Sequence, residues 1–188
     1  MKKRIAIFGS TGSIGTQTLE VIAAHADLFI AEILTAQNNE DLLIEQALKF
    51  NPGIVVIGDD KKYQKVKDAL SGTHTKVLGG EDAFTEAAIV DSYDMMIAAI
   101  VGFAGLKPTL QAIEAGKAIG LANKETLVVA GSIVNQLLKE YKQRLSQYKK
   151  LEKYEYTQLE QQDVKEMIHD AISELQSREN ATKKFNIK

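Results

Sequence analysis

The sequence predicts an α/β fold, in which helices cover both faces of a doubly wound parallel sheet, followed by a helical C-terminal extension. Short apolar runs alternate with amphipathic segments of helical length, a pattern typical of β-α-β units joined by right-handed crossovers. Most of these runs are apolar at nearly every position, as strands are when helices bury them on both faces. The predicted strands comprise residues 4–8, 30–36, 54–58, 75–78, 94–100 and 118–122.

The segments between the strands carry signals for helices. Apolar faces at helical spacing are predicted for the first two helices. Their members are Ile14, Thr18, Leu19, Ile22 and Ala23 in the first helix, and Leu42, Leu43, Gln46, Ala47 and Phe50 in the second. Two acidic pairs, Asp59-Asp60 and Glu81-Asp82, follow predicted strands. We expect each pair to begin a helix, because carboxylates cap and stabilise helix N-termini.

The composition is that of an ordinary globular protein. With 188 residues, 45% of them hydrophobic and 26% charged, and a net charge of −2, the chain gives no electrostatic reason to expect a nucleic acid or a membrane as partner. It contains no cysteine, and therefore no disulfide, thiolate nucleophile or cysteine metal site. The apolar run of residues 5–8 is too short for a signal peptide, and no stretch approaches the roughly 18 apolar residues of a membrane span. We expect a cytoplasmic protein.

The composition changes after Gly131. Residues 132–188 contain neither glycine nor proline and are rich in Gln, Lys, Glu and Tyr. Two apolar sets there follow helical spacing: Val134, Leu138, Tyr141, Leu145 and Tyr148, and then Val164, Met167, Ile168, Ala171, Ile172 and Leu175. We therefore divide the chain into an α/β domain of residues 1–131 and a helical extension of residues 132–188. The extension is expected to form a hairpin or part of a coiled coil, through which the chain could form a homo-oligomer.

A glycine-rich loop follows the first predicted strand and opens the first helix. Its sequence is Gly9-Ser10-Thr11-Gly12-Ser13-Ile14-Gly15. Glycines allow the tight turn and let the backbone approach a pyrophosphate, to which the helix N-terminus presents free N–H groups. Ser10, Thr11 and Ser13 add hydroxyl donors. A glycine- and serine-rich connection without a ligand is the alternative, but the strand–turn–helix context favours dinucleotide binding.

The tip of the second strand bears on which dinucleotide is bound. NAD-binding domains often place a carboxylate there to bind the ribose 2′-OH. Here the strand continues into Gln37, Asn38 and Asn39, while Glu32 lies inside the strand and Glu40 beyond the tip. The three amides could donate hydrogen bonds to a 2′-phosphate, which favours NADP, although a polar turn at a helix start explains them equally.

Further polar residues follow the last predicted strand. Asn123, Lys124 and Glu125 come directly after residues 118–122. Ligands of open α/β sheets bind beyond the carboxyl ends of the strands, so these side chains are candidates for contact with a cofactor or substrate. A solvated surface pair is the alternative. The histidines His25, His74 and His169 have no metal-ligand partner at a convincing spacing, and the residues themselves indicate no metal site.

Taken together, these stretches resemble the amino-terminal domain of the 1-deoxy-D-xylulose 5-phosphate reductoisomerase family, over residues 1 to about 131. The matching blocks are residues 9–15, 18–19, 98–102, 104–106, 107–110, 115–117 and 121–128. The resemblance implies a Rossmann-type domain, for which we expect the strand order 3-2-1-4-5-6. It also implies the family's activity, which is NADPH-dependent conversion of 1-deoxy-D-xylulose 5-phosphate to 2-C-methyl-D-erythritol 4-phosphate in isoprenoid synthesis.

The resemblance implies roles for ten positions. In the family's pattern Thr11, Gly12, Ser13 and Ile14 contact the NADPH phosphates and the adjoining sugar. Gln37, Asn38 and Asn39 match the adenosine-phosphate loop, Asn123 and Glu125 match cofactor contacts near the nicotinamide, and Lys124 matches the lysine that meets the sugar-phosphate substrate. None of these matches is a catalytic residue.

This chain departs from the family's pattern in two places. The family often has Gly-Lys-Asn where this chain has Gln37-Asn38-Asn39, and the lost lysine removes a cation from the 2′-phosphate site. After Gly131 the family continues into a catalytic domain whose carboxylates hold Mg²⁺ or Mn²⁺, and nothing in residues 132–188 resembles that segment. We therefore expect cofactor binding without turnover. The alternatives are a dinucleotide-binding module with a helical interaction tail, and another NADP-dependent enzyme whose tail supplies the catalytic groups.

Overall fold

The computed structural model of the chain describes residues 1–122 and Lys139. The described residues form one parallel sheet of six strands, which confirms the predicted α/β fold. The predicted helical extension of residues 132–188 lies outside the described residues, apart from Lys139. The strands are β1 (Lys3–Phe8), β2 (Phe29–Ala36), β3 (Ile54–Ile57), β4 (Lys76–Gly79), β5 (Met95–Ala98) and β6 (Ala118–Leu121). Each predicted strand is present, with ends that differ from the prediction by no more than two residues.

Helices connect successive strands. They are α1 (Ser13–Ala24), α2 (Glu40–Phe50), α3 (Asp60–Ala69), α4 (Glu81–Ala88) and α5 (Leu106–Glu114), with a 3₁₀ turn at Gly102–Gly105. The predicted apolar faces of α1 and α2 are buried or half-buried except at Ala23, which is exposed. Asp59 caps α3, since its Oδ1 accepts a hydrogen bond of 3.0 Å from the Lys61 N–H, and Glu81 and Asp82 lie in the first turn of α4. The acidic pairs therefore begin helices, as predicted.

The strand order differs from the expected 3-2-1-4-5-6. The observed order is β4-β3-β2-β1-β5-β6, because β4 pairs with β3 and it is β5 that pairs with β1. Burial explains the difference. No residue of β4 is fully buried, and Lys76 is exposed, which suits an edge strand. In β5, Met96, Ile97 and Ala98 are buried. This burial suits a central strand next to β1, because helices cover both faces of the sheet there.

Each face of the sheet contributes to a separate hydrophobic core. Ile5 and Ile7 of β1 pack in the core with α1, α2 and α3, whose buried contributors are Leu19, Ile22, Leu43, Ala47 and Val66. Ala6 and Phe8 belong to the core with α4 and α5, which contribute Ala83, Phe84, Ala87, Ala88 and Ala112. Successive residues of a strand point to opposite faces, and this alternation divides β1 between the two cores.

The winding direction reverses between β1 and β5. Four strands follow one another outward from β1 to β4, and the chain then returns to place β5 and β6 on the other side of β1. At such a switch point the connections after neighbouring strands leave toward opposite faces, which opens a crevice at their carboxyl ends. The glycine-rich loop follows β1 at this crevice. Among the described residues, no helix is both long enough and apolar enough to cross a membrane.

Candidate dinucleotide-binding site

Two glycines shape the loop of residues 9–15, called here the glycine loop. Gly9 has a φ of +94°, a conformation that side-chain-bearing residues rarely adopt, and a Cβ there would lie 2.9 Å from the backbone of Ala99 after β5. A Cβ on Gly15 would lie 2.2 Å from the Gly9 carbonyl oxygen. The loop can therefore pack against both β5 and the first turn of α1 only because these residues are glycine.

Gly12 is in a different situation. It is exposed and is the N-cap of α1, with φ −80° and ψ 171°, which is an extended conformation open to any residue. The nearest atom to a Cβ at this position is the Gly9 oxygen at 3.4 Å, so the described residues leave room for a side chain. No side chain among them caps α1, and the first N–H groups of a helix have no partner within the helix. The space beside Gly12 is therefore open to an anion.

The residues around Gly12 face outward. Thr11 and Ile14 are half-buried and Ser13 is exposed, so the structure brings the four predicted phosphate contacts together at the N-terminus of α1. The carbonyl oxygen of Ser13 accepts a hydrogen bond of 2.9 Å from the Thr16 hydroxyl within the helix. The arrangement presents one exposed hydroxyl and the first N–H groups of α1 on the same side of the loop.

Ser10 does not belong to this outward surface, and the prediction that its hydroxyl faces phosphate is wrong. The residue is fully buried, and its hydroxyl donates to Gln46 Oε1 at 2.7 Å. Gln46 Nε2 in turn donates to the Ser10 carbonyl oxygen at 2.9 Å. The Ser10 side chain therefore attaches the loop to α2 and has no exposed surface to offer a ligand.

Thr35 at the end of β2 completes a buried polar network with Ser10 and Gln46. Its Oγ1 accepts a 2.9 Å hydrogen bond from the Gly9 N–H, and its carbonyl oxygen accepts one of 2.8 Å from the Ser10 N–H. All three side chains are buried. Sequence reasoning placed Gln46 on the apolar face of α2 but did not identify this role. The sequence does contain a signal for this role, because Gln46 is an amide side chain within the apolar face of α2.

The loop after β2, called here the amide loop, consists of Gln37, Asn38 and Asn39. All three residues are exposed, and the structure places them beside the glycine loop because β2 pairs with β1, with Thr35 opposite Phe8. Asn39 Oδ1 accepts a 3.2 Å hydrogen bond from the Leu42 N–H and so caps α2. Gln37 and Asn38 line an open cleft at the carboxyl ends of β2, β3 and β4, whose other lining residues are Gly58, Asp59, Asp60, Lys61, Gly79, Gly80, Glu81 and Asp82.

Glu40, the first residue of α2, is held by lysines of α3. Its Oε2 lies 2.6 Å from Lys62 Nζ, and its Oε1 lies 3.3 Å from Lys65 Nζ. The hydrogen bond from Lys62, together with a backbone hydrogen bond, lowers the pKa of the Glu40 carboxyl to about 2. Lys62 also donates to the carbonyl oxygen of Asn38. Sequence reasoning did not associate Lys62 with the amide loop, because the two lie 24 residues apart.

The remaining predicted contacts, Asn123, Lys124 and Glu125, lie outside the described residues. Ala122, which precedes them, donates a hydrogen bond of 3.1 Å to the carbonyl oxygen of Ala98 at the end of β5. Within residues 1–122, no group of three or more His, Asp or Glu side chains could hold a metal ion.

The comparison with protein families identifies the chain. The family model for 1-deoxy-D-xylulose 5-phosphate reductoisomerase matches residues 5–131. The chain belongs to this family. Reductoisomerases from Phocaeicola vulgatus and Bacteroides thetaiotaomicron are 55% and 56% identical to it over 141 and 140 residues. These alignments cover 75% and 74% of this chain but only 37% and 36% of those proteins, so the chain spans little more than a third of their length.

Solved reductoisomerase structures share the fold. The enzyme from Zymomonas mobilis in complex with NADPH superposes with a TM-score of 0.72 and 39% sequence identity, over 76% of this chain and 37% of that one. A reductoisomerase in complex with NADPH, fosmidomycin and magnesium gives a TM-score of 0.71 and 38% identity, over 74% of this chain and 34% of that one. In each case the similarity covers about a third of the solved chain.

Proposed function

We propose that this chain binds NADPH as the dinucleotide-binding part of an enzyme that converts 1-deoxy-D-xylulose 5-phosphate to 2-C-methyl-D-erythritol 4-phosphate. The observation that carries the proposal is the exposed N-terminus of α1 at the switch point, where Gly12 leaves room for an anion beside uncapped N–H groups. Membership of the reductoisomerase family supports the choice of nucleotide. In this proposal residues 1–131 form the NADPH-binding domain and residues 132–188 a helical extension.

The predicted residues have distinct roles in this site. Thr11, Gly12, Ser13 and Ile14 would hold the pyrophosphate and the adjoining sugar at the N-terminus of α1. The amide loop would hold the adenosine 2′-phosphate. Asn123 and Glu125 would contact the nicotinamide side, and Lys124 the sugar-phosphate substrate. A bound NADPH supplies hydride, while the residues of this chain bind and orient the cofactor.

A titration and an assay test the proposal. NADPH fluorescence, followed as protein is added, should show saturable binding by the 188-residue polypeptide. Added 1-deoxy-D-xylulose 5-phosphate should change the NADPH signal if Lys124 meets the substrate beside the cofactor. An absence of NADPH binding in a folded protein, with a circular dichroism spectrum typical of an α/β fold, would contradict the proposal.

Two further features belong to the proposal. The apolar sets of residues 132–188 support pairing of the extension with a second copy of the chain, because each set would form one stripe along a helix that needs a partner surface. Sedimentation of the full polypeptide and of a 1–131 fragment tests this. Dimers formed by both would show that the extension is not responsible for pairing.

A cytoplasmic location also accords with a reductase that consumes NADPH, and cell fractionation tests it.

A further inference from the structure

The side chain of Lys62 extends from α3 to the amide loop. Its Nζ donates to the carbonyl oxygen of Asn38 and to Glu40 Oε2, the latter at 2.6 Å. An ammonium group has three donors, and these two bonds engage two of them. The Lys62 side chain is 31% exposed. A cation is therefore held at the edge of the loop that follows β2, at a position where an exposed donor can meet a ligand.

This edge of a dinucleotide-binding sheet determines the choice between the two nicotinamide cofactors. A carboxylate at the tip of the second strand binds the ribose 2′-OH of NAD, whereas a nearby cation accommodates the 2′-phosphate of NADP. The loop itself offers only neutral amides, from Gln37, Asn38 and Asn39. Glu40 is the nearest carboxylate along the chain, and Asp59, Asp60, Glu81 and Asp82 line the adjoining cleft. A 2′-phosphate at this loop therefore depends on a cation close to it.

Glu40 is not available to a ribose hydroxyl. Its carboxylate is only 16% exposed, and both oxygens are engaged, one by Lys62 and one by Lys65. Lys65 also pairs with Asp41 at 2.6 Å. A ribose diol would therefore meet a carboxylate that is mostly covered and already paired with two lysines.

We propose that Lys62 binds the adenosine 2′-phosphate of NADPH from α3 and thereby sets the preference for NADPH over NADH. The inference rests on the proposed function, since it assigns a residue within the same site. In this arrangement Lys62 of α3 takes the place of the lysine that other family members often have within the loop itself. Lys65 has a different role, because it holds the far oxygen of Glu40 and makes no described contact with the amide loop.

Affinities of Lys62→Gln for NADPH and NADH test the inference. Loss of a charge-assisted contact with phosphate should weaken NADPH binding about tenfold or more, whereas NADH binding should change less than about twofold. Lys65→Gln is the matched control, because it removes the same charge from the same helix and from the same carboxylate. Its affinities for both nucleotides should stay within about twofold of wild type. Thermal unfolding followed by circular dichroism checks that both variants fold.

A double variant separates contact with the phosphate from simple neutralisation of Glu40. If Lys62 touches the phosphate, Glu40→Gln with Lys62→Gln should still bind NADPH about tenfold more weakly than Glu40→Gln alone. Equal NADPH affinities of these two proteins would overturn the inference, as would an unchanged NADPH-to-NADH ratio in Lys62→Gln. A wild-type protein that binds neither nucleotide would overturn the proposed function, and this inference with it. A wild-type protein that binds both equally would overturn the inference alone.

Discussion

At the scale of single residues, the glycines of the glycine loop differ in the space around them, and the same substitution therefore has different expected effects. Gly12→Val should fold, because the position is extended and its nearest Cβ contact would be 3.4 Å. The valine side chain would occupy the space in which the pyrophosphate approaches the backbone. We expect NADPH affinity to fall about 100-fold, equivalent to one or two charge-assisted hydrogen bonds, in a fluorescence titration.

The control for this prediction is Gly15→Val in the same loop. A Cβ there would lie 2.2 Å from the Gly9 oxygen and 2.5 Å from Ser10 Cα, so that backbone must move. Overpacking of this kind should lower the free energy of unfolding by about 3 kcal/mol or more. Chemical denaturation measures the difference. If Gly12→Val folds and binds NADPH with wild-type affinity, the glycine loop is not the phosphate site.

Asn38→Lys tests the amide loop. A lysine there would add a cation beside the proposed 2′-phosphate site, and one charge-assisted hydrogen bond is worth about 1.5–3 kcal/mol. We expect NADPH affinity to rise about tenfold or more while NADH affinity stays near that of wild type. Isothermal titration calorimetry with both nucleotides measures this. Weaker NADPH binding in Asn38→Lys would show that the 2′-phosphate binds elsewhere.

The sequence predicts the members of the loops better than their orientations. Thr11, Gly12 and Ser13 are contiguous, and their place at a helix N-terminus follows from the strand–turn–helix pattern. The orientation of Ser10 does not follow from that pattern, because it depends on Gln46, which lies 36 residues further along the chain. The contact of Lys62 with the amide loop is not predicted for the same reason, since Lys62 and Asn38 lie 24 residues apart. Contacts between one β-α unit and the next depend on how the units pack, which local patterns do not encode.

At the scale of elements, the network of Ser10, Thr35 and Gln46 connects the glycine loop to β2 and α2. Gln46→Leu would remove the amide donor to the buried Ser10 carbonyl oxygen and leave the Ser10 hydroxyl only its 3.2 Å hydrogen bond to the Thr35 carbonyl oxygen. A buried polar group that loses its partner costs about 1–3 kcal/mol, and we expect the free energy of unfolding to fall by that amount. NADPH affinity should fall as well, because the loop would lose its attachment to α2.

Gln64→Leu is a matched control for the network. Gln64 is an exposed residue of α3, whose described side-chain hydrogen bond joins it to Asp68, also on α3. The same substitution there should change the free energy of unfolding by less than about 0.5 kcal/mol. Urea denaturation of both variants makes the comparison. Equal stabilities for Gln46→Leu and Gln64→Leu would mean that the buried network does not hold the loop.

The ion pairs between α2 and α3 predict a dependence of stability on pH. Glu40 has a pKa of about 2 in the folded chain against an ordinary value of 4.5, chiefly because of the hydrogen bond from Lys62. A depressed pKa stabilises the fold above the ordinary value, and this contribution is lost as pH falls from about 4.5 to about 2. Glu40→Gln should therefore show a shallower loss of stability across that window. Denaturation at several pH values measures both slopes, and equal slopes would contradict the assigned pairing.

The sequence predicts where the strands lie in the chain but not their order in the sheet. Apolar runs located all six strands, because strands buried on both faces have a distinctive composition. The expected position of β4 beside β1 was wrong, since length and spacing do not reveal on which side of the sheet a strand is added. Burial supplies the missing criterion in retrospect. Lys76 and Gly79 make β4 a poor central strand, whereas Met96 and Ile97 make β5 a good one.

At the scale of the whole molecule, the parallel sheet brings the predicted contacts after β1 and β2 together. Residues from the loops after β1 and β2 reach the same edge of the sheet because parallel strands end there together. In the proposed complex the adenosine half of the cofactor would therefore meet residues of the described sheet. A turnover site needs more, since the substrate and the divalent ion of the family's reaction must also be held beside the nicotinamide.

We expect a polypeptide of these 188 residues to bind NADPH without oxidising it in the presence of 1-deoxy-D-xylulose 5-phosphate and Mn²⁺. A hard divalent ion needs several oxygen ligands that converge at one point. Residues 1–122 contain no such cluster, and residues 132–188 do not resemble the family's metal-binding segment. Carboxylates spaced along a helix, at about 1.5 Å per residue, converge poorly. Absorbance at 340 nm measures oxidation, and Mn²⁺-dependent turnover that Lys124→Ala abolishes would show that the extension supplies a metal site of its own.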